Sequence, residues 1–269
     1  MLMRQLYARV SSSVMTVRNL IYKLYERSLE RGLRPEDLPR HIGVILDGNR
    51  RWAERQGSTS ASHGHEVGAK KTIEFLGWCD DLGIKVVTLY LLSTDNLKGR
   101  AEAELQELQD IIGQLATDLA ATKRWRLQLV GDRASLPAGL ESSIAKAEKS
   151  TGKIDGLHVN LAVGYGGRKE IADAMRSILR QHAQEGTTID ELAELLDPDL
   201  ITQHLYTSGQ PDPDLVIRTS GEQRLSGFLL WQSAQSEFYF EEALWPDFRR
   251  VDFLRAIRAF ESRHRRFGA

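Results

Sequence analysis

The chain of 269 residues has one cysteine, seven prolines, few aromatics at 7%, and almost no net charge. The lone thiol, Cys79, excludes an intramolecular disulfide and any zinc site built from several cysteines, and it fits a reducing compartment. It falls within an apolar helical pattern and reads as a small buried hydrophobe rather than a nucleophile. No stretch approaches the roughly 18 consecutive apolar residues of a membrane-spanning helix, and Arg4, Arg9, Arg18 and Lys23 interrupt any signal-peptide core near the start. A cytoplasmic protein is expected. With 36 Lys and Arg against 37 Asp and Glu, the formal charge of −1 gives no global attraction to nucleic acid or acidic lipid. Any anion site must be local. The 41% hydrophobic and 27% charged residues exclude disordered, collagenous and multi-span membrane classes, and nowhere do the 22 glycines and seven prolines concentrate into a linker.

From about residue 41 onward, short apolar runs alternate with helix-length amphipathic segments. That alternation predicts an α/β fold: a single domain with a mostly parallel central sheet of about six strands, flanked by helices. The expected strands are His41–Asp47, Ile84–Leu92, Trp125–Val130, Leu157–Val163, Asp214–Arg218 and Phe228–Trp231. Between them, Ala69, Ile73, Leu76 and Cys79 share one helical face, and Leu105, Leu108, Ile112, Leu115 and Leu119 form a longer stripe, both read from periodicity as core. Residues 1–34 are set apart as an N-terminal amphipathic helical segment ahead of a domain over 35–269. Its stripe of Val14, Val17, Ile21, Leu24 and Ser28 and its seven Arg or Lys against two Glu suit docking on the protein, with peripheral membrane contact as the alternative.

Open α/β sheets bind ligands beyond the carboxyl ends of their strands, so the residues after each apolar run are the ones to inspect. Three ends are loaded. The first carries Asp47, Gly48, Asn49, Arg50, Arg51 and Trp52, combining a carboxylate, a glycine, an amide and two guanidiniums, the chemistry of a metal-bridged phosphate site. The second carries Ser93, Thr94, Asp95 and Asn96. The third brings Arg218, Arg224, Leu225 and Ser226, so two diphosphates are more natural occupants than one; the alternative for its arginines is a pair of surface salt bridges to Glu222 and Asp214. Asp212 and Asp214 are spaced like metal ligands, but their flanking prolines predict a rigid turn. Gly64 to Thr72 has the wrong spacing for a P-loop, Lys169 replaces the last glycine of a dinucleotide fingerprint, and nucleophile-elbow and zinc-helix motifs are absent.

HIGVILDGNRRWA at 41–53, GH at 64–65, LYLLSTDN at 89–96, VGYGGRKEI at 163–171, DLVIRTSGEQRLSGFLLWQ at 214–232 and LWPDF at 244–248 together resemble the cis-prenyltransferases, the undecaprenyl diphosphate synthase family. Overall the chain looks most like the short-chain Z-farnesyl diphosphate synthases of actinobacteria. The resemblance implies a Mg²⁺-dependent homodimeric transferase that joins isopentenyl diphosphate to an allylic diphosphate with a new cis double bond. It implies Asp47 as catalytic aspartate and magnesium site, and Gly48, Asn49, Arg50 and Arg51, helped by Trp52 and His65, around the allylic diphosphate. Asn96, with Ser93 nearby, would assist proton removal, and Arg218, Arg224 and Ser226 would bind isopentenyl diphosphate. Glu237 would be a second magnesium carboxylate lent across the dimer, and Arg266 and Gly268 would reach the partner's site. The Leu105–Leu119 stripe then becomes an apolar product-pocket wall.

The chain departs from the family pattern at Ser60 and Ala61, where many members carry an arginine, at Leu97, at the Lys98-Gly99-Arg100 run, which displaces another expected arginine by one position, and at Gln235. These changes leave the allylic primer open. Leu91 stands where long-chain members commonly have a small residue, so a product of about C15 is expected. Rival readings are a long-chain polyprenyl diphosphate synthase, a non-catalytic partner subunit of the same fold, and an irregular coupling of two allylic diphosphates.

Overall fold

A computed structural model describes residues 22, 24–58, 60–99 and 101–267. Two compact units are present, one of Pro39–Asp247 and one of Met1–Leu38 with Phe248–Ala269. In the smaller unit lie a helix over 24–30 (α1) and a helix at Arg250–Phe267 (α10). Arg250 pairs with Glu30 at 2.6 Å, and the guanidiniums of Arg249 and Arg255 lie over the rings of Tyr22 and Tyr25. Of the predicted N-terminal stripe, Leu24 and Ser28 are exposed, while Val14, Val17 and Ile21 lie outside the described residues.

The larger unit holds a sheet of β1 (His41–Ile45), β2 (Val86–Ser93), β3 (Arg126–Val130), β4 (His158–Tyr165), β5 (Leu215–Arg218) and β6 (Glu237–Phe240), in the order β3-β4-β2-β1-β5-β6. Every pairing is parallel. Its helices are α2 (Asn49–Arg55), α3 (Ala61–Asp81), α4 (Thr94–Gly99), α5 (Glu102–Ala121), α6 (Ala138–Thr151), α7 (Gly167–Glu185), α8 (Ile189–Leu195) and α9 (Pro198–Gln203). Strands β1 and β5 are buried along their whole length, and β4 after its first residue, as sheets covered on both faces require. The chain passes from β1 to its neighbour β2, crosses to the edge strand β3, comes back to lay β4 between β3 and β2, then returns to the other side of β1 for β5 and β6. Loops leaving β1 and β5 therefore diverge from adjacent strands, which opens a crevice at their carboxyl ends.

Five of the six predicted strands form. The sixth does not lie at Phe228–Trp231, which is turn, but at Glu237–Phe240. Positive φ angles at Ser226 (51°), Gly227 (74°) and Leu229 (45°) rule out extended pairing, and Phe228 and Leu229 are apolar because that turn is buried. On α3 the buried face runs through Gly64, Gly68, Thr72, Phe75, Leu76 and Cys79, rotated from the predicted stripe so that Ala69 and Ile73 are only half-buried. Burial pushes the Cys79 thiol pKa well up, in keeping with the inert role expected of it.

Candidate functional site

Register builds the site. Ile45 pairs with Arg218, so Asp47, two residues further on, meets the guanidinium that ends β5. Arg218 Nη2 donates to Asp47 Oδ2 at 2.7 Å, Nη1 donates to Ser226 Oγ at 3.0 Å and to the Arg224 carbonyl, and the side chain is only 5% exposed. Its Nε is buried and has no hydrogen-bond partner. Thr219 fixes the two loops against each other, its hydroxyl accepting from Asp47 N at 3.0 Å and donating to the Asp47 carbonyl at 2.7 Å.

After Asp47 the chain turns at once into α2. Gly48 makes that turn at φ 106°, where a Cβ would also stand 2.8 Å from Leu244 Cδ2. α2 can sit this close to α3 because Gly64 and Gly68 carry no side chain: a Cβ there would approach the Asn49 carbonyl to 2.0 Å and Asn49 Oδ1 to 2.2 Å. Asn49 Nδ2 donates to the Leu46 carbonyl at 3.0 Å, while its buried Oδ1 has no hydrogen-bond partner. Arg51 lies 3.7 Å from Asp47 Oδ1 and 4.0 Å from Glu222 Oε1, and Arg50 lies 3.6 Å from Glu104.

These groups line a cavity of about 530 Å³, within the range of small-ligand sites. Its polar wall comes from the strand ends: Asp47, Gly48, Asn49, Arg50, Arg51, Ser93, Asp95, Asn96, Arg218 and Ser226, with His65 from α3. Its apolar wall comes from Leu91 and Leu92 of β2 and from Leu108, Ile111, Ile112 and Leu115 of α5. The α5 stripe is thus core and cavity wall at once. Leu91 reaches the cavity through an irregularity in the ladder, since pairing with β4 jumps from Tyr90–Ala162 to Leu92–Val163 and leaves Leu91 without a register partner.

Several residues singled out in the sequence stand outside this cavity. Trp52 donates from Nε1 to Asp247 at 2.8 Å, with its ring 5.6 Å from that of His63. Thr94 opens α4 beside a second cavity, and Leu225 packs half-buried against the core. Arg224 is 67% exposed and pairs with Glu222 at 2.5 Å, the surface ion pair weighed against ligand binding. Asp214, the other proposed ion-pair partner, instead accepts from the backbone N–H groups of Arg40 and His41 at 2.6 and 3.0 Å. Glu237 begins β6 opposite Leu215, three register steps from the end of β5 where Arg218 sits. Arg266 lies in α10 with its side chain outside the described residues, as is all of Gly268. Nothing in the sequence pattern gave a role to Tyr90 or Trp245, which line the cavity, or to Thr219, which stands in the loaded third strand end and ties its loop to that of Asp47.

A switch-point crevice with guanidiniums at one wall and aliphatic side chains at the other is an α/β ligand site that offers anion contacts and an apolar surface together. Residues 45–268 match the family model of the undecaprenyl diphosphate synthases (Prenyltransf). The chain is 58% identical over 248 residues to a (2Z,6E)-farnesyl diphosphate synthase of Thermobifida fusca, covering 92% of this chain and 97% of that one. It is 55% identical over 252 residues to isoprenyl transferase 1 of Streptomyces avermitilis, covering 94% and 97%. Among solved structures, lavandulyl diphosphate synthase from Lavandula x intermedia in complex with dimethylallyl diphosphate superposes with a TM-score of 0.78 at 34% identity, covering 84% of this chain and 96% of that one. This chain belongs to the undecaprenyl diphosphate synthase family and is a cis-prenyltransferase.

Proposed function

We propose that the protein condenses isopentenyl diphosphate with a short allylic diphosphate, forming a Z double bond and a product of farnesyl length. One observation carries the reading: Arg218, pinned to Asp47 at 2.7 Å and to Ser226 at 3.0 Å, stands in the same cavity as the Leu91–Leu115 hydrocarbon wall. Loss of the allylic C–O bond leaves a diphosphate anion and a carbocation. Arg50 and Arg51 take up the anion's charge from the α2 start, and the aliphatic wall keeps water from the cation. The isopentenyl double bond attacks that cation, forming the new C–C bond, and loss of one proton from the adjacent carbon restores neutrality. Asn96, which lines the cavity and whose backbone N–H is held by Ser93 Oγ at 3.0 Å, guides that proton. Arg218, Ser226 and Arg224 hold the isopentenyl diphosphate, Arg224 exchanging its Glu222 partner for phosphate oxygens.

The donor set suits Mg²⁺. Among the described residues no cluster of three or more His, Cys, Asp or Glu forms a protein cage, but Asp47 and the unpartnered Asn49 Oδ1 offer the sparse oxygen set that magnesium uses when phosphates complete its shell. Bound there, the ion would neutralise the departing diphosphate. Glu237 sits on the edge strand β6 away from its own cavity, the placement a carboxylate lent to a second copy needs, and we propose a homodimer in which Arg266 and Gly268 also serve the partner. Among the described residues no helix is long and apolar enough to cross a membrane. The relatives named as a (2Z,6E)-farnesyl diphosphate synthase and as a short-chain Z-isoprenyl diphosphate synthase, the latter from Mycobacterium bovis at 51% identity, support the short product. Labelled isopentenyl diphosphate with each allylic primer and Mg²⁺, followed by chromatographic sizing, tests the proposal. A farnesyl-length product is expected, and Leu91→Ala should add at least one isoprene unit. Chains of long polyprenyl length from the unaltered enzyme would overturn it.

A further inference from the structure

Tyr90 lies inside β2, where nothing in the strand pattern draws attention to it. Its side chain lines both the cavity described above and a second one of about 420 Å³, bordered also by Thr94, Gly167, Arg168, Ser226 and Leu230. The ring stacks on Phe228, centroids 4.7 Å apart and planes 20° apart, and meets Tyr165 edge-on at 5.9 Å and 86°. Those two contacts fix where the phenol points. Its hydroxyl donates to the Ser226 carbonyl at 3.4 Å and lies within hydrogen-bonding reach of the Ser93 side chain. Burial pushes its pKa up to about 12, so it remains a donor at any working pH.

The segment it touches needs holding. Ser226 and Leu229 have left-handed φ angles of 51° and 45°, a conformation that side chains other than glycine keep only when the surroundings impose it. Ser226 Oγ in turn accepts from Arg218 Nη1 at 3.0 Å, while Ser93 Oγ accepts from Asn96 N at 3.0 Å. One phenol thus stands between the two groups of residues that the proposed reaction must bring to a single donor molecule.

We propose that Tyr90 is a positioning residue whose hydroxyl pins the turn at 224–229 against the end of β2, so that Ser226 and Arg218 face the isopentenyl diphosphate in register with Ser93 and Asn96. The inference rests on the prenyl-transfer reading above. Tyr90→Phe keeps the ring and both ring contacts and removes only the hydroxyl. In the full-length protein with Mg²⁺, the dissociation constant for isopentenyl diphosphate by calorimetry and its KM should rise about fivefold, the worth of one hydrogen bond. The KM for the allylic primer should stay within about twofold, and Tm within about 2 °C. An unchanged isopentenyl dissociation constant, equal weakening of both substrates, or a fall in Tm alone overturns the proposal. If the unaltered protein binds isopentenyl diphosphate but transfers no prenyl group, the functional reading fails while the binding comparison still decides the role of Tyr90. Absence of any isopentenyl binding by the unaltered protein overturns both.

Discussion

Two groups of polar side chains at opposite ends of the sheet, the His41 ladder and the Asp47–Arg218 crevice, use their hydrogen bonds in opposite ways. Toward the amino ends of the strands, His41 Nδ1 bonds the Pro211 carbonyl at 2.7 Å and Nε2 bonds Thr88 at 2.8 Å. Asn160 then donates to Thr88 at 2.9 Å and exchanges bonds with Gln210, which reaches Gln128 at 3.1 Å. This ladder crosses β1, β2, β4 and β3, and each member spends its hydrogen-bonding capacity on another. At the carboxyl ends, Arg218 Nε, Asn49 Oδ1 and Ser220 Oγ are buried with that capacity unspent. A closed network fixes register, whereas an open one costs stability unless a ligand completes it.

Three changes break or sharpen this contrast. Asp47→Asn keeps an oxygen for Arg218 but removes the carboxylate charge. Incorporation of labelled isopentenyl units should fall about 10³-fold, some 4 kcal/mol of barrier, with Tm nearly unchanged. Retained turnover would remove Asp47 from the chemistry. The closed end answers to pH instead. Burial depresses the His41 pKa from 6.5 to about 4, so the fold holds it neutral while the unfolded chain takes up a proton. Stability is unaffected by this group above pH 6.5 and declines as pH falls from 6.5 to 4, by about 3 kcal/mol in total. Denaturant midpoints across that window check it, and His41→Gln should flatten the slope. The smallest effect is expected of Arg224→Ala. Its ion pair is solvated, so unfolding free energy should move by less than about 0.5 kcal/mol, while the KM for isopentenyl diphosphate rises roughly tenfold. A stability loss without a KM change would return Arg224 to the surface.

The first five strands were legible because burial leaves each a short, mostly apolar run, even where Thr88, Gln128 and Asn160 place a polar side chain inside β2, β3 and β4. Phe228–Trp231 misled for the same reason, since a buried left-handed turn needs apolar side chains as much as a strand does, and φ at Leu229 leaves no trace in composition. The strand-end clusters were legible one at a time as anion chemistry. Their meeting was not, because Asp47 and Arg218 stand 171 residues apart and come together only through the adjacency of β1 and β5. Tyr90 stayed hidden because an aromatic inside a strand satisfies the strand pattern whether or not its hydroxyl has work to do. The rotation of the α3 face toward Gly64 and Gly68 was likewise invisible, since periodicity counts large apolar residues and this contact is made by their absence.

Placing β1 between β2 and β5 also has a consequence in time. At about 5–20 residues per second, the 171 residues between Asp47 and Arg218 take roughly ten to thirty seconds to emerge from the ribosome. Throughout that interval β1 can pair with β2 on one side only, and its other edge offers unpaired backbone groups to any neighbouring chain. The Asp47–Arg218 pair is therefore among the last parts of the sheet to be completed, and the nascent chain exposes an open strand edge beside the place where the finished protein holds Asp47.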